Sequence, residues 1–380
     1  MNTPATGALA GIRVVDASRI LGGPFCGQIL GDHGADVLKV EPPQGDDTRT
    51  WGPPFDASGV ASYYHGLNRN KRLLTLDLTD PEGRQSLLAL LEQADVFIEN
   101  FKTGTLEKWG LGSEDLQRRF PRLVHCRVSG FGSDGPLGGL PGYDAALQAL
   151  CGVMSVNGEA GGEPLRVGLP VVDMVTGLNA ALGVMLALQE RHTSGRGQFI
   201  ESSLYDNGLT LLHPHASNWF MGAVKPGRSG NAHPNIYPYD VLRTATAPIF
   251  FAVGNDRQFR TLCRELGRAD LADDARYATA GARSVNRHEL KSDLEALLST
   301  HDGPALADHL IRAGVPCAPV LDVPAALSHP HTAHRHMVVE LPGYRGVASP
   351  IKLSRTPATY RYAPLTEGSA FLDRPAANDS

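Results

Sequence analysis

The chain lacks any CxxC pair. Its five cysteines (Cys26, Cys126, Cys151, Cys263 and Cys317) are scattered over 380 residues, which argues against a disulfide framework and predicts free thiols in a reducing compartment. An excess of positive charge is also missing. Lys and Arg number 35 against 40 Asp and Glu, for a net charge of −5, so no general field draws in nucleic acid or an anionic membrane. Any anionic ligand must then be held by local groups. The opening MNTPATGALA has neither a basic start nor a long apolar core, so no secretory leader is expected. A membrane span needs about 20 apolar residues in a row. The closest approach, 169–188, is interrupted by Pro170, Asp173, Thr176 and Asn179 and reads as a buried core helix. GxSxG, HExxH, P-loop and internal repeats are absent. The expectation is a soluble, cytoplasmic protein with no nucleic-acid or membrane partner and no bound metal.

What the chain does have is 42 glycines and 27 prolines clustered between apolar segments, a sign of tight turns. GIRVVDAS (11–18), ADVLKVE (35–41), RLLTLDL (72–78), ADVFIEN (94–100), RLVHCRVSG (122–130) and QFIESSL (198–204) read as strands. Helices fall between them, at 22–34, after an Asp80 N-cap with Pro81 at the first position, after a Ser113 cap, and over the apolar stretch 174–190. Strands alternating with helices predict a parallel sheet covered on both faces. Beyond GRSGNAHPNIYPYD (227–240) the pattern changes. PIFFAVG (248–254), an Asn255-capped helix and two helices within 285–313 suggest a small α+β unit, and GVPCAPV (314–320) an irregular stretch. The expected fold is α/β: a Rossmann-like large domain (1–227), a smaller α+β domain (228–320) and a C-terminal segment (321–380) returning to the first, with only the tail after Arg374 loose.

Several stretches invite chemistry. RILGGPFCG (19–27) follows a strand, and Glu41 ends the next one, as in dinucleotide-binding folds. A G-x-G-x-x-G pattern would use Gly22, Pro24 and Gly27, however, and Pro24 cannot act as the middle glycine. A phosphate can still meet the helix amides, whereas NAD is not expected. Arg49, Arg69, Lys71 and Arg72 in GDDTRTWGPPF and NRNKR are either phosphate ligands or solvated loop charges. HPHTAHRH (329–336) holds four histidines but no cysteine or carboxylate to complete a ligand set, so it is read as no metal site.

Asp173, in LPVVDMVTG (169–177), stands alone in an apolar run. Burying a lone carboxylate is costly unless it is paired, hydrogen-bonded or protonated. A plain explanation is helix capping, the carboxylate taking the free amides at a helix start. Gly142, Gly152, Gly158, Gly161, Gly162 and Gly168 precede it and Thr176-Gly177 follows, which favours instead a carboxylate that meets a substrate carbonyl away from water.

These stretches together resemble the family III CoA-transferases, which include formyl-CoA transferase and carnitine CoA-transferase. The resemblance runs from LAGIRVVDASRILGGPFCGQILGDHGADVLKVEPPQGDDTR to SPIKLSRTP, through NRNKR, VFIENF, GYDAALQA, DMVTGLNAALG and SGRGQFIESSLYD. GDDTRTWGPPF, GNAHPNIYPY and VGNDRQF are most similar to the succinyl-CoA:dicarboxylate branch, such as succinate–hydroxymethylglutarate CoA-transferase. The resemblance implies that Asp173 is the catalytic carboxylate. It implies an acyl-CoA and a small carboxylic acid as substrates, with no tightly bound cofactor. It also implies an interlocked homodimer in which the small domain of one chain lies near the active site of the other. By motif position, Leu21, Gly22, Leu76, Asp77, Leu78, Thr79, Asn100, Phe101 and Lys108 would line the CoA, with Tyr143 and Asp144 close to the thioester. A dicarboxylate acceptor needs a basic anchor, for which Arg19, Arg49, Arg166 and Arg228 are candidates.

Two alternatives stand beside this. The 2-methylacyl-CoA racemases are similar but carry a histidine where this chain has Tyr143, and a phenol is a poor proton shuttle at neutral pH. A catalytically inactive CoA-binding protein is the other. Only GRSGN (227–231) stands in for a glycine-rich loop of formyl-CoA transferase, and a C-terminal family pattern is altered to APLTEGSAF (363–371).

Overall fold

The computed structural model describes residues 6–223 and 225–366, so Arg374 onward and most of APLTEGSAF lie outside the described residues. Contacts divide the chain into two compact units. The larger holds residues up to 153, 167–212 and from 330 onward; the smaller holds 154–166 and 213–329. The expected small domain, 228–320, lies inside this smaller unit, which also takes in 154–166, 213–227 and 321–329.

In the larger unit, six parallel strands form one sheet. They are β1 (Arg13–Asp16), β2 (Asp36–Glu41), β3 (Lys71–Thr75), β4 (Val96–Glu99), β5 (Val124–Ser129) and β6 (Phe199–Ser203), in the order β3-β2-β1-β4-β5-β6. This is the doubly wound order, which reverses between β1 and β4 and opens a crevice beyond their carboxyl ends. Alternation along each strand supplies both faces. Val14, Val37, Ile98 and Cys126 face one core, with α1 (Gly22–Asp32) and the later long helix, while Val15, Val40 and Phe97 face the other. The short α2 (Ser62–His65) precedes β3, and the second face is covered by α3 (Pro81–Leu91), α4 (Thr105–Lys108) and α5 (Ser113–Arg119), which supply Leu87, Leu91, Leu106 and Leu116 to its core.

Asp80 caps α3 as expected, accepting the Glu82 amide. Ser113 does not cap α5: Gly112 holds that place, and Glu114 and Asp115 complement the helix dipole instead. After α6 (Asp144–Leu150) and α7 (Val153–Val156) comes α8 (Val171–Ser194), longer than the expected 174–190, followed by α9 (Leu204–Thr210). By length and hydropathy α8 could cross a membrane, but Val172, Ala180, Ala181, Val184, Ala187 and Leu188 are buried in the core. Gly177 lets it meet α1, because a Cβ there would lie 2.6 Å from the Gly22 carbonyl oxygen.

The smaller unit contains α10 (His215–Gly222) and builds an antiparallel sheet of β7 (Tyr239–Leu242), β8 (Ile249–Ala252) and β9 (Cys317–Pro319). Within GVPCAPV, Cys317–Pro319 is therefore an edge strand and the rest stays irregular. Proline is tolerated there because one side of an edge strand needs no amide. Asn255 caps α11 (Asp256–Glu265), and α12 (Ala280–Val285), α13 (Arg287–Leu298) and α14 (Gly303–Arg312) close the core around Phe251, Phe259 and Leu294.

Candidate active site

The turn after β1 and the loop after β4 meet at the reversal of strand order. There, a cleft of about 260 Å³ is lined by Arg19, Ile20, Leu21, Gly22, Asp47, Asn100, Phe101, Lys102, Tyr143 and Asp173, among others. A second cleft of about 280 Å³ shares Arg19 and Phe101 and runs over Glu41, Leu76, Asp77, Leu78, Thr79 and Trp109. The sheet thus brings together residues far apart in the chain. Of the expected CoA contacts only Lys108 and Asp144 line neither cleft. Lys108 is exposed at the end of α4, and Lys102 stands in the wall instead.

Asp173 is the third residue of α8. It is not the cap. Asp144 Oδ2 accepts the amides of both Val172 (2.8 Å) and Asp173 (3.1 Å) from α6, and Gln148 holds Asp144 Oδ1 at 2.6 Å. The helix-start amides of Val172 and Asp173, which could have stabilised the Asp173 carboxylate, are already taken. The Asp173 carboxylate has no hydrogen-bond partner among the described residues and faces the cleft. Burial, and then the charge of Asp144, push its pKa up from 3.8 to about 7. Gly22 packs beside it: a Cβ there would lie 3.3 Å from Val128 Cγ1 and 3.8 Å from Asp173 Oδ1.

Tyr63, which the sequence did not single out, feels both carboxylates. Burial and these charges raise its phenol to about 12, so it remains a neutral donor, packed edge-on against Trp51. Tyr143 is exposed at the rim. Gly142 lines the cleft, whereas Gly158, Gly161 and Gly162 belong to the smaller unit.

The candidate anchors separate cleanly. Arg19 lines both clefts, with Asp47 3.4 Å from its guanidinium. Arg49 is consumed inside the fold: it donates to Glu41 (2.8 Å), to the Tyr64 hydroxyl (2.9 Å) and to the Thr366 carbonyl (2.9 Å). Arg166 is exposed in the smaller unit. Arg228 is in the same unit, packed on the 155–158 turn and reaching the Ser155 carbonyl at 3.4 Å. NRNKR is neither a phosphate ligand nor a solvated loop. Arg69 forks onto buried Asp32, Lys71 reaches buried Asp16 at 2.9 Å, and Arg72 pairs with Asp36. The Asp-to-base spacings are too long for a sequence pattern to reveal. In the histidine segment, His331 and His334 stack at 6.2 Å in the short helix Pro330–His334, and no group of three metal-ligating side chains forms among the described residues.

Known proteins match this chain over nearly its whole length. The family model described as CoA-transferase family III matches residues 9–368. A succinate–glutarate CoA-transferase of Agrobacterium fabrum is 40% identical over 93% of this chain and 91% of its own length. A succinyl-CoA:mesaconate CoA-transferase of Haloarcula hispanica is 38% identical over 95% and 94%. The crystal structure of a CaiB/BaiF family protein from Brucella suis superposes with a TM-score of 0.85 at 40% identity, covering 96% of this chain and 97% of that one. The chain belongs to the family III CoA-transferases and is an enzyme that uses CoA thioesters as substrates.

Proposed function

We propose that this enzyme moves CoA from succinyl-CoA to a small dicarboxylic acid, with Asp173 as the covalent carrier. The observation behind this is a carboxylate placed in the cleft with its neighbouring helix amides occupied by Asp144. An ionised carboxylate is a nucleophile without help from a base. Its oxygen attacks the thioester carbonyl, the C–S bond breaks, and CoA leaves as thiolate with a mixed anhydride remaining. The thiolate returns to the Asp173 acyl carbon and releases succinate, which leaves an aspartyl-CoA thioester. The acceptor carboxylate then attacks that thioester and frees the thiolate again. The thiolate finally attacks the acceptor side of the new anhydride, giving the new CoA ester and free Asp173. No ATP is consumed, and water must be kept out because the anhydrides hydrolyse. Gly22 and Gly23 begin α1, where the first-turn amides have no intrahelical acceptor, and they are suited to the developing oxyanions.

Succinyl-CoA and a dicarboxylate are the reading favoured by the activities for which relatives near 40% identity are named. Arg19 is the cleft arginine available to an anionic group. A homodimer is supported by the outer face of α8, where Leu178, Leu182, Met185 and Leu186 are 40–63% exposed on the single chain, an apolar stripe that a second copy would cover. Five buried free thiols fit the cytoplasm.

The test is to incubate the protein with succinyl-CoA and glutarate, hydroxymethylglutarate, itaconate, mesaconate, citramalate, oxalate or formate, and read new CoA esters by mass spectrometry. An ester made by the wild type and not by Asp173→Ala supports the reading and names the acceptor. Deuterium exchange at the α-carbon of a 2-methylacyl-CoA, with no ester from any acid, replaces it with racemisation.

A further inference from the structure

Between β1 and α1 the chain makes a turn in which four successive backbone amides, 17 to 20, are bonded. The Ala17 amide reaches the Ile98 carbonyl, the Ser18 amide reaches Asp16, the Arg19 amide reaches Asn100 Oδ1 at 2.9 Å, and the Ile20 amide reaches Asp46 Oδ1 at 3.3 Å. Two carbonyls are held as well, Ser18 by Lys39 Nζ at 3.0 Å and Arg19 by Asn100 Nδ2 at 2.7 Å. Within this clamp Ile20 has a φ of +73°. That left-handed region is one a β-branched residue avoids, and it persists only where the surroundings impose it. Ile20 itself lines the cleft that contains Asp173, and Gly22, two residues on, packs against Asp173.

Asp46 is built for this task. Its side chain is wholly buried, one oxygen receiving Ile20 and both the amide and hydroxyl of Thr48, the other receiving Lys39 at 3.0 Å. Lys39 is equally buried and bridges Asp46 to the Ser18 carbonyl. A buried ion pair is weak ground for stability alone, whereas here both partners hold the same turn by its backbone.

We propose that Asp46, with Lys39, is a positioning residue for CoA transfer: it holds Ile20 in the left-handed conformation and thereby fixes the Leu21–Gly22 wall against which Asp173 meets the thioester. This rests on the proposed role of Asp173. Without the clamp Ile20 relaxes to negative φ, the Leu21–Gly22 peptide turns, and the distance between carboxylate and thioester is lost. A misplacement of about 1 Å at a reacting centre can cost on the order of a hundredfold in rate.

The experiment is a double-mutant cycle of Asp46→Ala and Ile20→Gly, read as kcat and KM for succinyl-CoA, with melting temperature alongside. Glycine adopts positive φ without penalty, so it removes the need for the clamp. The expected result is a fall in kcat of at least tenfold for Asp46→Ala when Ile20 is kept, with KM changed less than threefold, and a fall of less than threefold when Asp46→Ala is added to Ile20→Gly. Equal losses in both backgrounds would overturn the proposal, as they would mean that Asp46 only supports the fold. Unchanged kcat in Asp46→Ala would overturn it too. If Asp46→Ala does not fold, Asp46→Asn enters the same cycle, its amide facing Lys39 with the wrong polarity. A wild type that transfers no CoA at all refutes the role of Asp173 instead, a result separable from any outcome of the cycle.

Discussion

Asp144 Oδ2 lies 2.8 Å from the Val172 amide and 3.1 Å from the Asp173 amide. One carboxylate caps the helix so that the other, on that same helix, is left unbonded and basic. Burial, with the charge of Asp144 second, sets the pH at which Asp173 ionises.

Because burial and Asp144 raise Asp173 to about 7, kcat/KM for the acyl-CoA is expected to rise with pH through a midpoint near 7 and then level off. Asp144→Asn keeps an oxygen for the amides and removes the charge. Its midpoint should move down by about one pH unit, measured in the same buffers as the wild type. A midpoint that stays in place would remove Asp144 from the account.

Asp173→Asn should abolish transfer yet stabilise the protein at pH 8. A carboxyl with a folded pKa above its unfolded value binds more protons folded, so stability falls as pH rises between them. Carried in full, the rise from 3.8 to about 7 corresponds to roughly 4 kcal/mol. The open cleft leaves about half of that, or about 5 °C in melting temperature. The gain should vanish below about pH 4, as a pH series of melts would record.

Arg19→Ala is expected to raise KM for an anionic substrate about tenfold while kcat changes less, since Arg19 lines both clefts. Arg49→Ala should behave in the opposite way, lowering the melting temperature, because Arg49 is bound to Glu41 and Tyr64. Steady-state kinetics beside thermal melts separates the two.

Arg69 ties α1 to the C-terminal return: it holds Asp32 and donates to the Val347 carbonyl at 2.6 Å. Arg69→Met leaves Asp32 buried without its ion pair and should cost about 3–5 kcal/mol in urea unfolding. Asp32→Leu combined with Arg69→Met removes both charges and should cost much less. Equal losses for the single and double variants would argue against the pairing as the source.

The order of strands and helices was readable because it rests on local signals. Short apolar, β-branched runs marked the strands around Val14, Phe97 and Cys126, and Asp80 and Asn255 announced the helices they cap. The same locality failed at Ser113 and at Cys317–Pro319, where a neighbouring glycine and an edge position decided the outcome. Motif resemblance marked Asp173 and the cleft segments at 21–22, 76–79 and 100–101, while Lys102 joins the cleft wall through the folding of the loop after β4, which no motif displayed.

The sequence by itself determined the α/β succession, the family and the candidate nucleophile, since each is written in contiguous residues. Only the tertiary structure decided which charges are free to act. Arg69 and Lys71 meet partners 37 and 55 residues away, and Asp144 reaches Asp173 across 29. A charge buried by folding must find its counterion or hydrogen-bond donor in space, so the division between structural and chemical groups is settled where the strands converge and not along the chain.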